Sequence, residues 1–163
     1  MNKRRLLTIG LVLFVMLLVV TPAWARAVKT EFSGIVYPTG LVDLGEWFYA
    51  GNMEIWHGEI VIFAIETTDP RFTGEDLVVT LNSNFKIEPY YGREWGIWDL
   101  ENDLCTWSGN WVGYHDKDDD TIYLDAVGQG DCGDKVIQVR WHAERYAPSE
   151  DPSFTITGYF IEN

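Results

Sequence analysis

The chain has 163 residues and carries 25 acidic against 12 basic side chains, a net charge of −13. That balance argues against nucleic acid and anionic membrane surfaces as partners, because neutralising phosphates takes clustered Lys and Arg. The length suits one domain with its own core, and eight Trp among 15% aromatic residues call for a ring-rich interior or a binding surface.

Residues 1–25 read as a targeting segment. Lys3, Arg4 and Arg5 form a positive start, Leu6 to Val20 is an apolar run, Pro22 breaks it, and Ala23-Trp24-Ala25 is a small-x-small cleavage site. The domain is then 26–163, exported, with no membrane association after cleavage. It keeps nine basic and 25 acidic residues, a net charge of −16. Strong net charge of this kind keeps a protein dispersed. An oxidising compartment favours a disulfide between the two cysteines.

After residue 26 no stretch sustains a helical period. Eight strand-like runs recur between Gly, Pro, Asn and Asp clusters: 32–37, 54–66, 76–86, 95–101, 105–115, 121–130, 135–146 and 153–162. Leu41 to Gly51 stays open between a short strand and a flap. In the second run Trp56, Gly58, Ile60, Ile62 and Ala64 are expected to face inward. Its other face, with Val61, Phe63 and Ile65, is apolar too, which suggests burial on both sides under the 41–51 segment. Tyr90, Tyr91 and Trp95 sit beside Gly92 and Arg93 in what reads as a loop.

The segment from Cys105 to Cys132 is the most specific. Asp116 to Asp120 has turn chemistry. Centring the turn between Asp118 and Asp119 sets Trp111 opposite Ala126, Gly109 opposite Gly128, Trp107 opposite Gly130 and Cys105 opposite Cys132. Opposed residues share a face, and this face holds no Asp, Glu, Lys or Arg. Slipping by one residue would bury Asp125 and Asp131, so the register is well specified. The cysteines fall within disulfide reach, and closing a loop of about 28 residues is worth roughly 3.5 kcal/mol in chain entropy. In the last two runs Ile137, Val139, Trp141 and Ala143, then Phe154, Ile156, Gly158 and Phe160, alternate in the same way. Eight short strands with tight connections predict an all-β, eight-stranded antiparallel up-and-down barrel, with a sandwich or jelly roll as the alternative.

The runs TTDPRFTGEDLVVTLNSNF, WGIWDLEND, TWSGNWVGY, AVGQGDCGDKVIQVRW and FTITGYFIEN together resemble exported bacterial domains. Their barrels are similar to those of allene oxide cyclases and, more distantly, of lipocalin-type calycins. The resemblance runs from about Phe32 to Asn163 and rests on packing motifs, Trp107-x-Gly109-x-Trp111 and Gly128-x-Gly130. It implies a fold; no catalytic residue of a cyclase maps onto this chain.

No nucleophile elbow, phosphate loop, dinucleotide fingerprint or paired-His zinc motif is present. The Asp116-x-Asp118-x-Asp120 run lacks the Gly and Glu of a calcium loop at the required positions, which hold Thr121 and Val127. Neither a cofactor nor a metal is expected. His115 falls at the rim of the inner face, His142 points outward and His57 adjoins Trp56. The candidate ligand-binding residues, in the interior or at its mouth, are Trp56, Trp107, Trp111, His115 and Trp141, with Tyr90, Tyr91 and Trp95 from the loop. The leading expectation is a non-enzymatic barrel holding a small apolar or amphiphilic ligand in space left by glycines. Its rival is a cell-surface module meeting sugar or protein through the Tyr90–Trp95 loop. A lipid cyclase or isomerase comes third, since it needs a titratable pair inside and only His115 is supplied there, with Arg145 near a strand end.

Overall fold

The computed structural model describes residues 27–145 and 152–162; the segment read as a targeting signal lies outside them. The elements are β1 (Val28–Asp43), β2 (Glu46–Ala50), β3 (Met53–Thr67), a 3-10 turn (Pro70–Phe72), β4 (Gly74–Lys86), β5 (Tyr91–Glu101), β6 (Thr106–Asp116), β7 (Thr121–Cys132), β8 (Lys135–Arg145) and β9 (Phe154–Glu162). All pairings are antiparallel. The order β1-β9-β8-β7-β6-β5-β4-β3 closes through a β1–β3 pairing, and β2 adds a ninth strand on β3. Eight strands therefore form a closed up-and-down ring rather than a sandwich. Closure satisfies the backbone ladder all the way round, which open sheets of this length do not achieve. Among the described residues no helix is long and apolar enough to cross a membrane.

The β6–β7 hairpin has the register that the acidic turn predicts. Trp107 faces Gly130, Trp111 faces Ala126 and Gly109 faces Gly128. Cys105 and Cys132 are joined by a disulfide. Trp107, Trp111 and Ala126 are buried, so the uncharged face is the barrel's inner wall.

Four expectations need correction. The first concerns the glycines. A Cβ on Gly130 would lie 2.3 Å from the Trp107 ring, and one on Gly128 would lie 2.4 Å from Trp98 Cζ2. The space they leave is filled by indoles, not kept for a ligand. The second concerns β3. Gly58, at φ +73°, forms a bulge between Trp56 and Glu59 in the pairing with β4. Asn82 Oδ1 accepts a hydrogen bond from its N–H at 3.1 Å. An extra residue in a strand reverses the side-chain alternation beyond it. Trp56 faces inward as expected, but past the bulge the inner set is Glu59, Val61, Phe63 and Ile65, with Ile60 and Ile62 outside. The third concerns the presumed loop, since Tyr91 to Trp95 belong to β5.

The fourth concerns the 41–51 segment, which does not lie over β3. β1 pairs with β3 as far as Asp43, and β2 then continues along the same edge from Glu46 opposite His57 to Ala50 opposite Met53. Beyond Val36, β1 has no β9 partner in the ladder.

Candidate functional site

The two ends of the barrel differ. At one end the chain between β3 and β4 folds inward and inserts Phe72, which is fully buried. Its ring meets Trp107 at 5.4 Å and Trp98 at 5.7 Å between centroids. Phe32, Phe160 and the disulfide complete this aromatic plug. Arg71 ties the turn down. Its guanidinium bonds Asp69 Oδ2 and Glu162 Oε1, each at 2.7 Å, and its carbonyl accepts the Trp107 indole N–H at 2.6 Å. The hydrogen bonds from Arg71 hold the Asp69 carboxyl below the usual range, although burial opposes them.

Above the plug lies a cavity of about 220 Å³. Trp98 and Trp141 line it, together with Trp111, aliphatic side chains such as Val79, Leu81 and Leu124, and Phe154. Its polar lining is Glu94 and His115. The Trp98 and Trp141 Nε1 atoms are buried and have no hydrogen-bond partner among the described residues. The two rings meet at 5.8 Å and 73°. Phe72 packs against both indoles as well.

The other end is polar. Glu94 is buried and lies 3.3 Å from His115 Nδ1, while His115 Nε2 is 3.4 Å from Asp120 Oδ1. Arg145 bonds Asp120. Glu54 is buried as well and accepts from Trp56 Nε1 at 2.5 Å and from the Tyr90 hydroxyl. Lys117 Nζ stands 3.7 Å from Glu54 Oε1. Glu59 shares this face through its pairing with Leu81. Burial first, and then the nearby Glu94, push its carboxyl above the ordinary value, against the pull of Lys117. A buried carboxylate touching an imidazole can exchange a proton with a bound molecule, and it can equally accept hydrogen bonds from a ligand's head.

The sequence candidates therefore divide. Trp111, His115 and Trp141 line the cavity. Trp56 and Tyr90 stand at its mouth around Glu54. Trp107 belongs to the plug, and its N–H is occupied. Tyr91 and Trp95 lie on the outer face of β5 opposite Asp116 and Val112 of β6, and Tyr91 packs on Tyr114 at 5.8 Å. Sequence reading missed Glu94, Glu54, Glu59, Trp98 and Lys117. A strand starting at Tyr91 would have revealed Glu94, since it is in phase with Trp98 and Leu100. Glu59 was hidden by the bulge. His142 points outward to Asp125, 2.9 Å away, and His57 is exposed and stacks on Phe48. The acidic turn holds itself and its neighbour: Asp116 and Asp119 accept from backbone N–H groups two residues on, and Asp118 accepts from Tyr90 N. Among the described residues no group of acidic, His or Cys side chains is arranged to hold a metal.

No family model, no curated protein and no solved structure matches the chain.

Proposed function

We propose that this protein is an exported, non-enzymatic barrel that binds a small amphiphilic molecule. Its apolar body would lie on Trp98, Trp111 and Trp141 and its head would meet Glu94 and His115. The observation that carries this reading is the apolar cavity above the aromatic plug, facing a polar rim. A fully packed interior would have left it no basis. At about 220 Å³ the space is below the ~300 Å³ typical of the smallest drug-sized sites, which points to a short-chain or compact molecule. The indole N–H groups without a partner among the described residues favour a ligand with an acceptor atom within the cavity. The rim holds the carboxylates of Glu54, Glu59, Glu94 and Asp120 against the cations of Lys117 and Arg145, so a neutral or cationic head suits it better than a fatty-acid anion. The disulfide fits an oxidising, extracytoplasmic setting.

The test is native mass spectrometry of purified protein for a co-purified small molecule, with titration of 1-hexanol followed by tryptophan fluorescence. Ala143→Leu places three more carbons on the cavity wall and should lower hexanol affinity about tenfold or more, with the near-UV dichroism intact. Equal binding by wild type and variant would place the alcohol elsewhere and end this reading.

A second reading, an interaction module on the cell surface, is favoured by the flap. Leu41, Val42, Leu44, Trp47, Phe48 and Tyr49 are all exposed around β2, on both faces of the strand, and exposed apolar side chains gathered at one edge mark contact sites. The Tyr90–Trp95 segment does not serve this role, because its rings are divided between the mouth and the outer wall. Trp47→Ser with Phe48→Ser should abolish binding to immobilised cell-envelope material and leave hexanol binding unchanged; retained capture excludes the flap.

A further inference from the structure

Lys117 occupies an aromatic cage at the mouth. Its ammonium lies 3.9 Å from the centroid of Phe85, 4.7 Å from Tyr90 and 5.9 Å from Trp56. Its nitrogen also reaches the Tyr90 hydroxyl at 3.1 Å. Glu54 provides the counter-charge beneath. That carboxylate is only 6% exposed and is itself fixed by Trp56 and Tyr90, so two cage walls are oriented by the anion that the cation needs. Trp47 of the flap stacks on Trp56 at 5.9 Å. Three ring faces with one buried carboxylate is the arrangement by which proteins recognise alkylated ammonium groups.

The cage adjoins the cavity through one of its walls. Phe85 packs edge-on against His115 at 5.6 Å, and His115 lines the cavity. A molecule with its body among Trp98, Trp111 and Leu81 would reach the cage with its head by passing between Phe85 and His115. The backbone of the Lys117 turn is held separately from its side chain. Lys117 N–H donates to Tyr90 O at 2.7 Å, and Tyr90 N–H donates to Asp118 Oδ2 at 3.0 Å. The side chain can swing out while the turn stays docked.

From this geometry we infer that the Trp56–Phe85–Tyr90–Glu54 cage is the site for a ligand's ammonium head, and that Lys117 is its internal stand-in. The inference rests on the amphiphile-binding reading and narrows the ligand to a cationic amphiphile. Lys117 then acts as a competitive plug, leaving the cage when a better cation arrives and returning when it departs.

The probe is hexyltrimethylammonium, titrated by calorimetry and tryptophan fluorescence, with 1-hexanol alongside. Lys117→Ala should bind the ammonium about tenfold more tightly than wild type and leave hexanol within about twofold. Glu54→Gln placed on Lys117→Ala should reverse most of the gain. Lys135→Ala, at the start of β8 at the plugged end, removes the same charge and should change nothing. Should Lys117→Ala misfold, Lys117→Gln keeps the stem, drops the charge and carries the same expectation. Ammonium binding no tighter in either Lys117 variant, or a gain matched by Lys135→Ala, overturns the cage as a ligand site. If hexanol binds neither protein while the ammonium follows the stated pattern, the cage stands and the cavity reading fails.

Discussion

Gly130 shows how the interior is built at the level of single residues. Its missing side chain is occupied by the Trp107 ring, at 2.3 Å from where a Cβ would sit. Trp107 is fully buried and bonded to the Arg71 carbonyl, so it has nowhere to retreat. Gly130→Ala should destabilise the fold by about 1–3 kcal/mol, the usual cost of overpacking, seen as a lower denaturant midpoint with an unchanged slope; a shift below 0.5 kcal/mol would mean that the ring relocates freely. The residue pattern already paired Trp107 with a glycine. It could not say that the indole would fill the gap, because that depends on the neighbouring strands and on a plug delivered from 36 residues earlier in the chain.

Among the elements, the β6–β7 hairpin and β3 make opposite cases. The hairpin's register follows from a local turn and a strict two-residue alternation, both contained in one stretch, and so it was legible. Reducing Cys105–Cys132 frees a loop with a sequence separation of 27 and should remove roughly 3.5 kcal/mol. Matched thermal melts with and without reductant, and a two-proton gain in mass, check it; an unchanged melt would place the stability elsewhere in the ring. Along β3 both faces are apolar, so alternation gave no means of seeing the Gly58 bulge. The bulge is set by the fit to β4, where Asn82 receives its N–H. That single extra residue brings Glu59 into the mouth and Val61 and Phe63 onto the cavity wall.

At the scale of the whole molecule, the plugged and polar ends give opposite pH responses. Asp69, held below its ordinary 3.8 by Arg71, stabilises the plug fully above that value, and its contribution is lost as pH falls through the lower folded value. Glu59 is raised above its ordinary 4.5, chiefly by burial. The folded state then binds more protons than the unfolded one, so stability declines as pH rises from 4.5 through the folded value. Glu59→Gln should therefore raise the melting temperature more at pH 7 than at pH 4. Equal gains at both would show that the charge of Glu59 is not the cause.

By itself the sequence determined the all-β class, the hairpin register, the disulfide partners and the inward Trp107, Trp111 and Trp141, because each follows from alternation and turn chemistry within one or two strands. Only the tertiary structure decided which end carries the aromatic plug and which the polar rim, and that Glu54, Glu94, His115 and Lys117 gather at the latter. Those residues come from different strands and turns, and ring closure is what brings them to one rim. No local pattern encodes that meeting, because it depends on the phase of every strand between them, and in β3 one bulged glycine reverses it.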